Sequence, residues 1–337
     1  MRGLRVVIPE VGRAEVEEFE VSAIGAQKVL IRTEVSLISA GTELTGYLNS
    51  RGTSTYPIYP GYSNVGIVET VGVGVVGLKV GDRVVTQAHH ASHCVIDLAD
   101  PASAQAYHQV VPERIAPADA TFAVLGSVAM HGVRKAEPQL RQSAAVIGQG
   151  VVGQLIAQLA RVAGCGPVIG IDVFPLRLEM ARQSGTPIVV NAAEQDVEQA
   201  VKEITNGRGV DLGFDATRNP TTLETLMRIA AISGKCIVVG SIPGAARVSL
   251  YDPLQFKELT IIGAWQPRSP VVGHPYNPWT QSRNRLAFLE LLRERLVRVD
   301  HLITHRVPPT DAGKVYEMIR AGGSDWLGIV FDWETLS

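Results

Sequence analysis

Two hydrophobic rhythms divide the chain. Through the first third, apolar residues come in short β-branched runs: KVLIRTEVSLI (28–38), NVGIVETVGV (64–73) and DRVVTQA (82–88). Glycine and proline punctuate them closely, as in YPIYPGY and VGLKVGD, which predicts a compact, mostly β domain. From about residue 143, strand-like runs alternate with amphipathic stretches of helix length. The order is AAVIG then VGQLIAQLARVAG, PVIGID then PLRLEMARQSG, PIVVN then EQDVEQAVKEITNG, VDLGFDA then TTLETLMRIAAISG, and finally KCIVVGS and LTIIGAW. Strands separated in this way pair in parallel through right-handed crossovers, so the six runs predict a doubly wound α/β sheet with helices on both faces. After Trp265 the rhythm breaks into the proline-rich QPRSPVVGHPYNPWTQ (266–281), a helix over about 282–296 and a mixed tail. At 337 residues, two domains are the expectation.

Charge narrows the choice of partners. Lys and Arg (31) are offset by Asp and Glu (33), and no basic run carries interleaved aromatics, which argues against nucleic acid. Apolar runs are strand-sized and the start, MRGLRVVIPEVGR, lacks a signal-length core, so a cytoplasmic chain with no membrane partner is expected. The three cysteines, at 94, 165 and 236, form no CxxC pair, which excludes a cysteine-rich zinc lobe. A metal site would rest mainly on histidine and carboxylate, and AHHASHC (88–94) is the local cluster on offer, with His89, His90, His93 and Cys94.

The pattern GxGxxG occurs twice, and it binds phosphate only where it closes a strand and opens a helix. GVGVVG (72–77) is followed by LKVGDRVV, another turn and strand, and is read as a loop. GQGVVG (148–153) follows SAAVI and leads into a run where Val152, Leu155, Ile156, Leu159 and Val162 recur at helical spacing. Gly148 permits the tight turn, Gly150 lets backbone approach phosphate, Gly153 allows helix to pack on strand, and Val151 and Val152 open the helix. Asp172 stands 19 residues beyond Gly153, at the end of the next strand. An acid there accepts hydrogen bonds from the adenosine ribose and repels a 2′-phosphate, which favours NAD over NADP. Its structural alternative is to cap the helix that follows. Arg177 is expected beside the ribose, stacked on adenine or facing water, and Gly240 and Ser241, closing the fifth strand, complete the cofactor-binding candidates.

Several segments, ISAGTE (38–43), PGYSNVG (60–66), VGVGVVGLKVGDRVV (71–85), YHQVVPE (107–113), VIGQGVVG (146–153) and HLITHRVP (301–308), together resemble the medium-chain dehydrogenase/reductase family, the alcohol dehydrogenase superfamily. The resemblance implies a GroES-like catalytic domain over 1–127 and 268–337 and a Rossmann NAD-binding domain over 128–267. It also exposes departures. Where zinc-dependent members carry a ligand cysteine, a His-Glu pair and a third ligand, this chain has Ala40, Tyr62 with Ser63, and Ser127. None of these is a normal zinc ligand, so the resemblance implies a zinc-less member with no metal. The AGTE and PGY pairing is similar to the branch that acts on the hydroxyethyl side chain of bacteriochlorophyllide.

Without zinc, oxidation of an alcohol needs a general base or hydrogen-bond relay. The resemblance directs Tyr62 and Thr42 toward the former metal position, sets His131 beside the nicotinamide, and brings His89 and His90, after DRVVTQA, to the border of the substrate pocket. A histidine is the preferred base, since tyrosine near pKa 10 needs a strong shift, and His131 and His90 both stand open. The aromatic loop 266–281, with Trp265, Arg268, His274, Tyr276 and Trp279 in or beside it, suits a hydroxylated ring or a dimer contact. The expected function is a zinc-independent, NAD-dependent oxidoreductase interconverting a secondary alcohol and a ketone, with a small hydroxylated substrate and a homo-oligomeric assembly. A zinc-less quinone or enoyl reductase and a non-catalytic nucleotide-binding protein are the alternatives.

Overall fold

The computed structural model describes residues 1–99 and 108–336. Tyr107, at the head of YHQVVPE, lies outside them. The chain divides into two compact units, Met1–Ser127 with Ser269–Arg295 and Ile303–Ser337, and Val128–Arg268 with Leu296–Leu302.

The first unit is GroES-like and built on β-strands. β1 (Arg2–Glu10) and β2 (Arg13–Glu20) form an antiparallel pair. A larger sheet joins β3 (Lys28–Leu37), β4 (Asn64–Val71), β5 (Arg83–Thr86), β6 (His93–Asp97), β7 (His108–Val110), β14 (Ile303–Val307) and β15 (Gly328–Asp332). Its order is β14-β15-β3-β4-β5-β7, with β6 also on β3. Alternation along the strands sends Val29, Ile31, Val68, Val84 and Ile96 into one apolar cluster. A second cluster gathers Val6, Ile8, Tyr47, Tyr316, Phe331 and Trp333 around α1 (Ala40–Tyr47) and α9 (Ala312–Ala321). The run GVGVVG at 72–77 joins β4 to β5 with no helix after it. α2 (Pro117–Ala120) precedes α3 (Phe122–Ala136), within which the unit boundary falls. α8 spans Gln281–Arg293.

The second unit is Rossmann-like. β8 (Ala144–Ile147), α4 (Val151–Val162), β9 (Val168–Asp172), α5 (Pro175–Gln183), β10 (Ile188–Asn191), α6 (Val197–Ile204), β11 (Val210–Asp215), α7 (Thr222–Ile229), β12 (Ala230–Val238) and β13 (Thr260–Gly263) follow in turn. All six strands run parallel in the order β10-β9-β8-β11-β12-β13. The order reverses direction after β8, and the crevice at the carboxyl ends of strands flanking such a switch is where this topology binds ligands. Leu155, Ile156 and Leu159 of α4 are buried, each stabilising the unit by about 1.5–3 kcal/mol.

Two boundaries differ from those read in the sequence. The helix read over TTLETLMRIAAISG ends at Ile229, because Ala230 already pairs with Val210 of β11 as a strand residue. Leu296–Leu302, assigned by sequence to the first domain, clusters with the second unit. There the Gln158 side-chain amide pairs with both backbone groups of Arg298, donating to its carbonyl at 2.9 Å and accepting from its N–H at 2.8 Å.

Candidate active site

The loop of the nucleotide-type unit is shaped by its glycines, for different reasons. Gly148 has φ +89°, a left-handed conformation that favours glycine. A Cβ on Gly153 would fall 1.7 Å from the Gly148 carbonyl oxygen, so the protein's own packing demands glycine there. Gly150 is unlike both: its φ of −66° suits any residue, and an added Cβ would meet nothing within 4 Å. The space before it is open. Gly150 is also the N-cap of α4, which has no side-chain cap, and its first turn, with Val151 and Val152, therefore carries amides without intrahelical acceptors. Such a helix end attracts anions.

Asp172 closes β9 and is 7% exposed. Its Oδ2 accepts the Gln149 N–H at 2.6 Å, and its Oδ1 accepts those of Val173 and Phe174 at 2.7 and 3.0 Å. The carboxylate thus ties the glycine loop to the entry of α5, whose N-cap is Phe174. Arg177 sets its Nη1 3.8 Å from Asp172 Oδ2 and its guanidinium 4.6 Å from the Phe174 ring centre. At the end of β12, a Cβ on Gly240 would come within 2.0 Å of the Thr217 carbonyl oxygen, and Ser241 follows, half-buried.

In the first unit the polar side chains form one connected cluster. The Tyr62 hydroxyl donates to Ser39 Oγ at 2.5 Å and lies 3.3 Å from Thr42 Oγ1. Ser39 is the N-cap of α1, and its N–H donates to Glu43 Oε1 at 2.7 Å. The other oxygen of Glu43 accepts from the Tyr316 hydroxyl and from His90 Nε2, the latter at 3.1 Å. His90 Nδ1 is 2.8 Å from Ser36 Oγ, which also accepts from Trp333 Nε1 at 2.9 Å. Burial pushes the Glu43 carboxyl up, but His90, Tyr316 and the Ser39 amide more than reverse this and hold it below the ordinary value. Burial raises the Tyr62 phenol, so it is a hydrogen-bond donor at neutral pH.

The histidines separate. His90 is 0% exposed, both ring nitrogens are engaged, and its ring meets Phe331 edge-on at 5.1 Å. It therefore has no face for an alcohol, contrary to the expectation that it borders the pocket as a base. His89 is exposed. Its Nδ1 lies 3.3 Å from the Gly61 carbonyl, which can only accept, so Nδ1 carries the proton and Nε2 presents a lone pair. Loss of hydration lowers its pKa below the ordinary value, and the Gly61 carbonyl only partly opposes this. His93 lies on β6, 3.7 Å from Glu69, and burial pushes the neighbouring Cys94 thiol up to about 12. His131 is half-buried on α3 in the other unit, its pKa lowered by burial and by Lys135 one turn on.

Sequence reasoning missed Ser36, Ser39 and Tyr316. For Ser39 a signal existed: a serine before AGTE, with an acid four residues on, resembles a helix-start box. Tyr316 lies 273 residues from Glu43 and offered none.

Two family models match the chain: the alcohol dehydrogenase GroES-like domain over residues 25–132, and the zinc-binding dehydrogenase over residues 151–277. Together they take in well over half of it, the first falling mostly in the first unit and the second mostly in the second. The chain belongs to the alcohol dehydrogenase superfamily of medium-chain dehydrogenases/reductases. Among its superfamily relatives, L-threonine 3-dehydrogenase of Pyrococcus furiosus is 29% identical, covering 93% of this chain and 94% of that protein. Sorbitol dehydrogenase of Bacillus subtilis is 28% identical, covering 75% and 79%. Galactitol-1-phosphate dehydrogenase from Escherichia coli shares the fold with a TM-score of 0.83 at 21% identity, over 98% of this chain and 99% of that one.

A zinc ion, which the superfamily implies, does not suit the residues present. Ala40 offers a methyl group, the Ser63 hydroxyl donates to the Thr121 carbonyl, and Ser127 Oγ donates to the Val124 carbonyl at 2.8 Å. Among the described residues, no three His, Cys, Asp or Glu side chains are grouped to hold a metal ion. Nor, among those residues, is any helix long and apolar enough to cross a membrane.

Proposed function

We propose that this oxidoreductase is a metal-independent, NAD-linked dehydrogenase that interconverts a secondary alcohol and a ketone on a small hydroxylated substrate. The observation that carries the reading is the hydroxyl cluster of Tyr62, Ser39 and Thr42, in the two segments where the family resemblance would put metal ligands in a zinc-dependent member. Relatives named for sorbitol and threonine both act on secondary alcohols, which supports the reaction class. A polyol, a sugar, a cyclitol or a hydroxyalkyl group, the last as in the bacteriochlorophyllide branch, fits it equally.

The open loop at Gly150 supports a dinucleotide, with the amides of residues 150–153 holding its pyrophosphate and Gly240 and Ser241 completing the site. Asp172 would accept the ribose hydroxyls with lone pairs left over from its backbone bonds, and the Arg177–Phe174 pair would flank the adenine. When bound, the nicotinamide supplies the hydride acceptor. The chain's own task is then the proton. His89 Nε2 takes it from the alcohol, while the Thr42 hydroxyl donates to the alcohol oxygen and the Tyr62 phenol, its own proton given to Ser39, shapes the place where that oxygen sits. The lowered pKa of His89 favours its neutral ring, the form a base needs. We assign a cytoplasmic homo-oligomer by the same family reading.

The test is reduction of NAD and of NADP by the purified protein over secondary alcohols, sugars and cyclitols, with and without a chelator, beside elemental analysis. Turnover with NAD that survives the chelator in a metal-free protein is expected. Stoichiometric zinc with chelator-sensitive turnover would overturn metal independence, and NADPH oxidation by quinones alone would overturn the reaction class.

A further inference from the structure

The Glu43 carboxylate is buried within the first unit and accepts three hydrogen bonds there. One oxygen takes the Ser39 amide; the other takes the His90 ring and the Tyr316 hydroxyl. These donors come from three separate pieces of chain: the end of β3, the segment before β6, and α9. His90 is itself fixed from behind by Ser36 and Trp333, and its backbone is pinned by bonds to Pro60 and Val6, both at 2.9 Å. So much organisation around one carboxylate exceeds what a helix start requires, since a serine N-cap alone supplies about 1 kcal/mol. Here the Ser39 side chain does not cap α1 at all: its Oγ is engaged with Tyr62 instead. Glu43 takes over at that helix start by accepting the Ser39 N–H.

We infer that Glu43 is a positioning residue for the reaction, holding Ser39 through its amide so that the Ser39 and Thr42 hydroxyls fix the phenol of Tyr62. Thr42 and Glu43 both donate their backbone N–H to the Ser39 carbonyl, at 3.0 and 2.9 Å, so one residue anchors both hydroxyls of the cluster. In a metal site the ion would hold its ligands in register. In this chain the same rigidity comes from a buried acid whose His90 and Tyr316 partners keep it from turning away. His90 thus serves the site without touching substrate. The inference rests on the dehydrogenase reading for its kinetic consequence, and on geometry alone for the coupling between Glu43 and Tyr62.

A double-mutant cycle joining Glu43→Gln with Tyr62→Phe tests it, read in two ways. In steady-state kinetics, Glu43→Gln is expected to lower kcat by about 100-fold, the scale of a small misplacement at a reacting group, with NAD affinity unchanged. Glu43→Asp should recover part of that loss. In the Tyr62→Phe background the same change should cost less than about twofold, because the group it positions is gone. In parallel, the 13Cζ NMR signal of Tyr62, assigned by its loss in Tyr62→Phe, should move in Glu43→Gln. Tyr316→Phe, which leaves the carboxylate two of its donors, is the milder variant should Glu43→Gln fail to fold, and should shift the same signal less. An unmoved Tyr62 signal in every folded variant, or losses of kcat that simply multiply in the double mutant, overturns the inference. Absence of turnover in the unmutated protein overturns the functional reading instead, and the NMR arm still decides the coupling.

Discussion

The glycine loop at 148–153 keeps its critical position empty, whereas the cluster around Ser39 fills its own. In the loop, Gly148 and Gly153 are required by the protein itself, while Gly150 faces open space that no internal contact accounts for. A residue kept small without a packing reason points outward, to something that must come close. The hydroxyl cluster is the reverse: Tyr62, Ser39, Glu43, His90 and Tyr316 satisfy one another. Its chemistry is decided by what the interior holds still. One site is prepared by vacancy and spacing along the chain, the other by a polar network that only the folded unit assembles.

Substitutions can break this contrast. The largest effect is expected at Gly153, where valine would drive a side chain into the Gly148 carbonyl and destabilise the protein by about 3 kcal/mol or more, read from its urea midpoint. A change of less than about 0.5 kcal/mol would show that the loop does not need close packing. His89→Asn is expected to lower kcat by roughly 10²- to 10⁴-fold with folding intact, in line with loss of a general base. Because its pKa is lowered, the neutral, active form persists on acidification, and the acid limb of the wild-type kcat/KM profile should lie below pH 6.5. A limb above that value would place the base elsewhere.

Gly150→Ala sharpens the comparison most directly. Stability should stay within about 1 kcal/mol or rise, as for glycine replaced at a compatible φ, while NAD affinity falls about tenfold in calorimetric titration. A loss of stability with unaltered affinity would return Gly150 to the packing glycines. The smallest effect concerns acid stability. The folded pKa of Glu43 lies below its ordinary 4.5, so its contribution is present above that value and is lost as the pH falls through the depressed one. The stability gap between wild type and Glu43→Gln should therefore narrow on acidification below pH 4.5 in denaturant titrations. A gap that widened there would mean the carboxylate is not held ionised by its donors.

Particular residues show how far reading the chain could go. The six parallel strands and the mostly β first unit follow from hydrophobic period and strand spacing, which are local. The distinction between GVGVVG at 72–77 and GQGVVG at 148–153 was also legible, because only the second is followed by a helical period. The work of Asp172 was legible only in part: nothing local announces that it gathers the amides of Gln149, Val173 and Phe174. His89 and His90 are adjacent and chemically identical in sequence. They part because the backbone of His90 is pinned between Pro60 and Val6, which turns its ring toward Ser36 and Glu43 and leaves its neighbour outside.

The sequence by itself determined the two-part architecture, the glycine loop between a strand and a helix at 148–153, and the absence of cysteine, histidine and carboxylate at positions 40, 62, 63 and 127, because each depends on residue type at fixed local spacing. Tertiary structure alone decided which histidine meets solvent, how Tyr62 finds Ser39, and that Glu43 is held by a tyrosine 273 residues away. Those choices depend on strands and helices from both ends of the chain closing on one another, and no local pattern carries that information.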